Sequence, residues 1–263
     1  MQVPENRFKR GLQSGKMQLG LWSSLANHLS VEVLAHAGFD WLLLDTEHAP
    51  NELPMVVNQL LAAGGGTAQP IVRPPWNDTV TLKRFLDAGV QSFLVPFVQS
   101  AEEAQRAVAA TRYPPRGVRG FAAGSRASQY GRMKDYFGTC EAQICVLVQV
   151  ENQLGLKNLE AIAGVEGVDG IFIGPGDLSA DLGHLGDPGH PEVQRVIEDA
   201  IARLGACRMP AGILTSRREL ARRYIDLGCL FVAVGSDIGL LTQGASALVA
   251  EFGEHGTPLT SRV

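Results

Sequence analysis

Short apolar runs recur along the chain at near-regular intervals, and each is followed by a polar turn and then an amphipathic stretch. The runs are Gln18–Trp22, Trp41–Asp45, Pro70–Arg73, Ser92–Pro96, Ile144–Glu151, Gly170–Gly174, Ala211–Thr215 and Phe231–Gly235. They are continuous rather than alternating, as parallel strands covered on both faces are. Helical patterns fill the gaps: Leu29–Ala37, Leu53–Ala63, Thr79–Ala88, Ala101–Arg112, Asn158–Val165, Pro191–Leu204, Arg217–Leu227 and Ile238–Glu251. Gly38, Gly64, Gly89 and Gly228 stand where a helix should stop before the next strand, because glycine relieves left-handed backbone strain at a helix C-terminus. Eight strand–helix units in a chain of 263 residues predict a (β/α)8 TIM barrel. A doubly wound sheet is the competing fold. It would carry a glycine cradle after its first strand, but here that strand runs into Trp22-Ser23-Ser24-Leu25. Gly64-Gly65-Gly66 lies between a helix and a strand and reads as a turn, not a phosphate loop.

The chain is 45% apolar and 19% charged with net charge −4, a globular profile with no basic surface for nucleic acid or anionic lipid. No apolar run is long enough to span a bilayer, and Met1–Lys16 lacks the apolar core of a secretory signal. Cys140, Cys145, Cys207 and Cys229 form no C-x-x-C pair. They read as reduced thiols, consistent with a cytoplasmic location. One barrel domain over residues 1–253 and a polar tail over 254–263 are expected. One connection is long: Tyr113–Thr139, rich in arginine, reads as a lid or a subunit contact. Arg119 and Arg126 within it are candidates to meet a carboxylate.

Barrel chemistry sits at the C-terminal strand ends, and polar groups collect there: Asp45-Thr46-Glu47-His48, Arg73, Gln149 with Glu151, Gly174-Pro175-Gly176-Asp177, Thr215 and Ser236-Asp237. Glu151 and Asp177 come from neighbouring strands. As hard oxygen donors they suit Mg²⁺, Mn²⁺ or Co²⁺ and leave positions open for substrate. A 2-oxo acid can chelate such an ion, which then stabilises an enolate as a Lewis acid. Arg73 offers a cationic fork to the same oxygen. The turn at Gly176 and Asp177 opens a helix whose N–H groups can hold a carboxylate, and Gln149 can donate to the substrate. His48 is the strand-end group that titrates near neutrality, which makes it the candidate general base. Lys9, Lys16, Lys83, Lys134 and Lys157 all fall away from strand ends, so a Schiff-base aldolase is not expected.

The motifs Leu42–His48 (LLLDTEH), Pro70–Pro74 (PIVRP), Leu147–Glu151 (LVQVE) and Ile171–Ser179 (IFIGPGDLS) resemble the HpcH/HpaI aldolases, metal-dependent class II pyruvate aldolases. The likeness covers roughly Phe8 to Phe252. It implies a TIM barrel of the phosphoenolpyruvate/pyruvate-binding type that cleaves a 4-hydroxy-2-oxo acid to pyruvate and an aldehyde, in aromatic catabolism. It further implies His48 as proton acceptor, Arg73 as transition-state stabiliser, Glu151 and Asp177 as metal ligands, and Gln149, Gly176 and Asp177 as contacts to the oxo acid. Asp87, in L-D-A-G, matches an aspartate that raises the basicity of the histidine. Where this chain has Gly176, the family commonly carries alanine or serine. The family assembles as hexamers, trimers of dimers with the last helix exchanged, so a homo-oligomer is implied. Two alternatives stay open: an acyl-CoA lyase of the citrate lyase beta or malyl-CoA lyase type, and a non-catalytic oxo-acid-binding oligomer.

Overall fold

In a strand successive side chains point to opposite faces, so a run that is apolar throughout feeds two cores at once. The computed structural model describes residues 2–253, and the expected polar tail over 254–263 lies outside them. Its strands are β1 (Gln18–Ser23), β2 (Trp41–Asp45), β3 (Gln69–Arg73), β4 (Ser92–Val95), β5 (Cys145–Val150), β6 (Gly170–Ile173), β7 (Ala211–Leu214) and β8 (Phe231–Ser236). They pair in parallel in sequence order, and β8 closes on β1 to complete the barrel. The helices are α1 (Arg7–Gln13), α2 (His28–Ala35), α3 (Leu53–Ala62), α4 (Thr79–Asp87), α5 (Ala101–Thr111), α6 (Tyr136–Thr139), α7 (Gln153–Lys157), α8 (Leu159–Ala163), α9 (Pro175–Asp181), α10 (Pro191–Ala206), α11 (Arg218–Asp226) and α12 (Asp237–Phe252). Every predicted strand is present, with ends shifted by no more than a residue or two.

The two cores separate by parity. Leu42, Leu44, Val72, Val146, Val148 and Ile171 face outward and pack with the helices. Trp41, Leu43, Ile71, Leu147, Phe172 and Phe231 fill the lumen. Space for the large lumen rings comes from glycine at the paired position of the neighbouring strand. A Cβ at Gly20 would fall within the Trp41 indole, and one at Gly212 within the Phe231 ring. The same parity carries the lumen positions of β2, β3 and β5 upward to Asp45, Arg73 and Gln149, all buried.

Several elements differ from expectation. Met1–Lys16 holds the unpredicted helix α1, capped by the Asn6 side chain. Phe8 and Leu12, one turn apart, enter the lumen from below, and Phe8 meets the Trp41 and Phe231 rings edge-on at 5.9 and 5.8 Å. The helix expected over Asn158–Val165 is α8, and an unexpected short helix, α7, precedes it; the two share Asn158 as C-cap and N-cap. The left-handed residue after α3 is Gly65 rather than Gly64, whereas Gly38, Gly89 and Gly228 have the positive φ expected of them.

The long connection corrects the lid reading most directly. It joins α5 to β5 and so lies at the N-terminal end of the barrel, opposite the strand ends where a lid would act. It is not loose, because Met133, Tyr136 and Cys140 form a small core of their own. Arg119 is fully buried there, 4.4 Å above the Tyr113 ring, and Arg126 donates to the Ala88 carbonyl at 2.6 Å. Neither can reach a substrate carboxylate at the opposite end of its own barrel.

Candidate active site

Register decides which strand ends meet. In the β5–β6 ladder Gln149 pairs with Phe172 and Val150 with Ile173, so Glu151 arrives level with Gly174. The fit is close: a Cβ at Gly174 would collide with the Glu151 carboxylate and the Gln149 amide. Position 174 must therefore be glycine. Gly176 was the glycine expected to permit close approach, yet a Cβ there would meet nothing within 4 Å, so an alanine or serine would fit equally well. Pro175 starts α9, and Asp177 sits in its first turn, where the helix dipole favours a negative charge.

Glu151 is buried. The Phe97 backbone N–H donates to its Oε1 at 2.8 Å, and the Gln149 amide donates to its Oε2. Burial, with the Asp177 charge second, nevertheless pushes its carboxyl up to about 8. Two acidic groups are thus held together with too little positive charge between them. The Gln149 Oε1 is also buried, without a hydrogen-bond partner. An all-oxygen donor set with an unmet demand for positive charge fits a hard divalent cation, with Glu151 and Asp177 as the residues that would hold it.

Across the lumen, Asp45 organises the cationic side. Arg73 donates to it through Nε at 2.9 Å and Nη2 at 2.6 Å, and Trp22 Nε1 donates at 3.3 Å. The backbone N–H groups of Glu47 and His48 also donate to Asp45, at 3.0 and 3.3 Å. Burial alone would raise the Asp45 carboxyl. The Arg73 hydrogen bonds and charge outweigh it and hold the group below its ordinary value. Arg73 lies over the Trp22 ring at 5.1 Å, and its Nη1 is 2.9 Å from Glu47 Oε2. Burial raises the Glu47 carboxyl, and the Asp45 and Asp177 charges add to the effect against the pull of Arg73 and His48. His48 stands at the rim, its side chain 66% exposed and its Nε2 3.9 Å from Glu47 Oε2.

The structure therefore brings Arg73, Gln149, Glu151 and Asp177 to one end of the barrel with His48 at the edge. It does not bring Asp87 there. That residue ends α4, at the opposite end, and accepts from Arg119 Nη2 at 3.3 Å. Reading strand ends without parity lists Asp45, Glu47 and Gly174 but assigns them no role. Asp45 and Glu47 could have been found by counting inward-facing positions along β2 and past its end. Among the described residues, His184, His190 and Glu192 also cluster, with ligand atoms within 4.8 Å of one another. Their imidazoles stack at 3.5 Å and 18°, so their in-plane lone pairs run side by side and do not converge on one ion.

A buried acidic pair faced by a fixed guanidinium at the mouth of a closed parallel barrel suits a barrel enzyme that works on an oxygen-rich anion. The HpcH/HpaI aldolase/citrate lyase family model matches residues 18–244. A 4-hydroxy-2-oxo-heptane-1,7-dioate aldolase of Klebsiella pneumoniae is 54% identical over 256 residues, 97% of each chain. A pyruvate aldolase of Rhizobium etli is 54% identical over 252 residues, 96% of this chain and 99% of that one. The crystal structure of a family protein from Burkholderia cenocepacia superposes with a TM-score of 0.91 at 38% identity, covering 94% of this chain and 98% of the other. The chain belongs to the HpcH/HpaI aldolase/citrate lyase family, and it is a carbon–carbon lyase of the aldolase kind. The citrate lyase beta subunit of Mycobacterium tuberculosis, solved with oxaloacetate and magnesium, has 18% identity and a TM-score of 0.59 and shares the fold alone. No described helix is long and apolar enough to cross a membrane.

Proposed function

We propose that this protein catalyses the reversible retro-aldol cleavage of a 4-hydroxy-2-oxo acid to pyruvate and an aldehyde. The observation that carries the reading is the pairing of Glu151 with Asp177 beside Arg73. Glu151 and Asp177 would hold a divalent cation (Mg²⁺, Mn²⁺ or Co²⁺), which supplies Lewis-acid polarisation of the 2-oxo group. Gln149 and the backbone at Gly176 and Asp177 orient the 2-oxo acid. In cleavage, a base system containing His48 takes the proton of the 4-hydroxyl. The C4–O bond becomes a carbonyl, the C3–C4 bond breaks, and its electron pair passes into the C2–C3 bond of the pyruvate enolate. Arg73, fixed by Asp45, faces the charge that develops on the C2 oxygen. Reprotonation at C3 completes pyruvate, and condensation runs the same steps backwards.

Asp87 and His48 lie at opposite ends of one barrel, so an influence of Asp87 on the histidine requires a neighbouring copy. Leu240, Leu241, Leu248, Val249 and Phe252 of α12 are all more than half exposed, which supports a homo-oligomer, with the family's hexamer as the expected form. The barrel is read as one catalytic domain, and the location as cytoplasmic. The test is a pyruvate-release assay on 4-hydroxy-2-oxoheptanedioate with and without chelator. Metal-dependent pyruvate and succinate semialdehyde are expected. Metal-tightened pyruvate binding without exchange of its methyl protons into deuterium would instead make the chain a binding protein.

A further inference from the structure

Phe97 follows β4 with a φ of +54°, in the left-handed region that a bulky L-residue enters only at a cost. The conformation has a visible use. In an extended strand successive N–H groups turn to opposite neighbours. Here two successive ones turn the same way, onto the end of β5. The Phe97 N–H donates to Glu151 Oε1 at 2.8 Å, and the Val98 N–H donates to the Gln149 carbonyl at 2.9 Å. A left-handed residue between them permits the pair. With the Gln149 amide on Oε2, each oxygen of the Glu151 carboxylate has one fixed donor, and the plane of the group is set.

Something must hold a phenylalanine in that conformation. Its ring stacks on the Trp76 indole, with centroids 5.8 Å apart and planes 29° from parallel. Trp76 stands in the loop after β3 and is 55% exposed, too open to serve as an ordinary core residue. The two loops are tied together by Glu103 in the first turn of α5. Its carboxylate accepts from the Gln99 N–H at 2.7 Å, and its carbonyl accepts from Asn77 Nδ2 at 3.0 Å. The aromatic pair therefore joins the loop that leaves Arg73 to the loop that braces Glu151.

We propose that Trp76 is a positioning residue for the cation: by stacking on Phe97 it holds the left-handed turn whose N–H sets the Glu151 carboxylate. The assignment rests on the reading of Glu151 as a metal ligand, and it puts control of that ligand on an exposed ring outside the site. Mn²⁺ binding to the metal-free protein is measured by calorimetry. Trp76→Ala should weaken it roughly three- to ten-fold, the worth of one aromatic contact, and Trp76→Phe should recover most of the loss. Phe97→Ala keeps the strain without the ring and should match Trp76→Ala. Phe97→Gly should bind Mn²⁺ more tightly than Phe97→Ala, because glycine reaches positive φ without strain. Adding Trp76→Ala to Phe97→Gly should change nothing further. Wild-type affinity in Trp76→Ala, equal binding by Phe97→Ala and Phe97→Gly, or a Trp76→Ala loss that persists in the glycine background overturns the proposal. A second readout needs no metal. Hydrogen–deuterium exchange, read by mass spectrometry over residues 94–99, should be faster in Trp76→Ala and in Glu151→Ala than in wild type. If wild type binds no Mn²⁺, the metal reading fails, and exchange decides the stack on its own. Faster exchange in Trp76→Ala with recovery in Trp76→Phe then upholds Trp76 as the residue that positions Glu151, and unchanged exchange overturns it.

Discussion

Asp45 accepts from five donors, spread over Arg73, Trp22 and the turn that carries His48. It sets the direction of the guanidinium and the start of the histidine turn. Asp45→Asn should lower kcat on the order of a hundred-fold, the scale of a misplaced oxyanion partner, with a smaller change in KM. Its pKa is below the ordinary 3.8 in the folded protein. The stabilisation it gives is complete above that value and is lost as pH falls through the folded pKa. Urea midpoints between pH 6 and pH 3 should therefore fall less in the asparagine variant than in wild type. At the two catalytic poles, His48→Ala and Glu151→Ala should both abolish pyruvate release. Only Glu151→Ala should also abolish Mn²⁺ binding by calorimetry, and full turnover in either variant removes that residue from the mechanism. His48, Arg73, Gln149, Glu151 and Asp177 were legible because they are polar where a parallel strand ends. Asp45 and Glu47 lie in the same motif and count among its strand-end polar groups, but they had no role until the alternation of faces gave each a direction.

Elements followed the sequence wherever period and length agreed. Each strand is a short apolar run bounded by turn residues, and the glycines after α2, α4 and α11 stop helices as expected. The failures are elements with too little pattern to read. Helix α1 has seven residues and buries only Phe8, Gly11 and Leu12, so the Phe8–Leu12 spacing was its one signal. It matters out of proportion to its length, because the lumen under Trp41 and Phe231 is otherwise open to water from below. Phe8→Ala should destabilise the protein by about 3–5 kcal/mol, the range for deleting a buried aromatic, measured as a lower denaturant midpoint with unchanged slope. The arginine-rich connection misled for a different reason. Composition marked it as unusual, while its end of the barrel follows from the elements it joins: a helix-to-strand loop always lies at the N-terminal end.

At the scale of the whole molecule, α12 stands clear of its own barrel, with every residue from Leu240 to Phe252 exposed. Leu240, Leu241, Leu248, Val249 and Phe252 are all more than half exposed along a single helix, a larger apolar run than monomers usually leave bare. The proposed homo-oligomer covers it. Leu241→Glu combined with Leu248→Glu should reduce the mass seen by analytical ultracentrifugation by at least half. The barrel itself should stay folded by circular dichroism, since α12 supplies none of the described barrel core beyond Asp237. Unchanged mass would mean that the helix is not the interface. No sequence pattern could distinguish this helix from one that packs on its own barrel, because both are rich in apolar residues, and only the position of neighbouring elements shows that this one is left uncovered.

The stopper formed by Phe8 closes against Phe231, so the beginning of the chain is finished by its end. During synthesis the plug leaves the ribosome long before its socket exists, and its aromatic face stays wet until the eighth strand has emerged and closed on the first. A transcript cut short anywhere upstream of β8 therefore yields not a smaller enzyme but an unclosed sheet with a homeless ring, a target for proteases and chaperones.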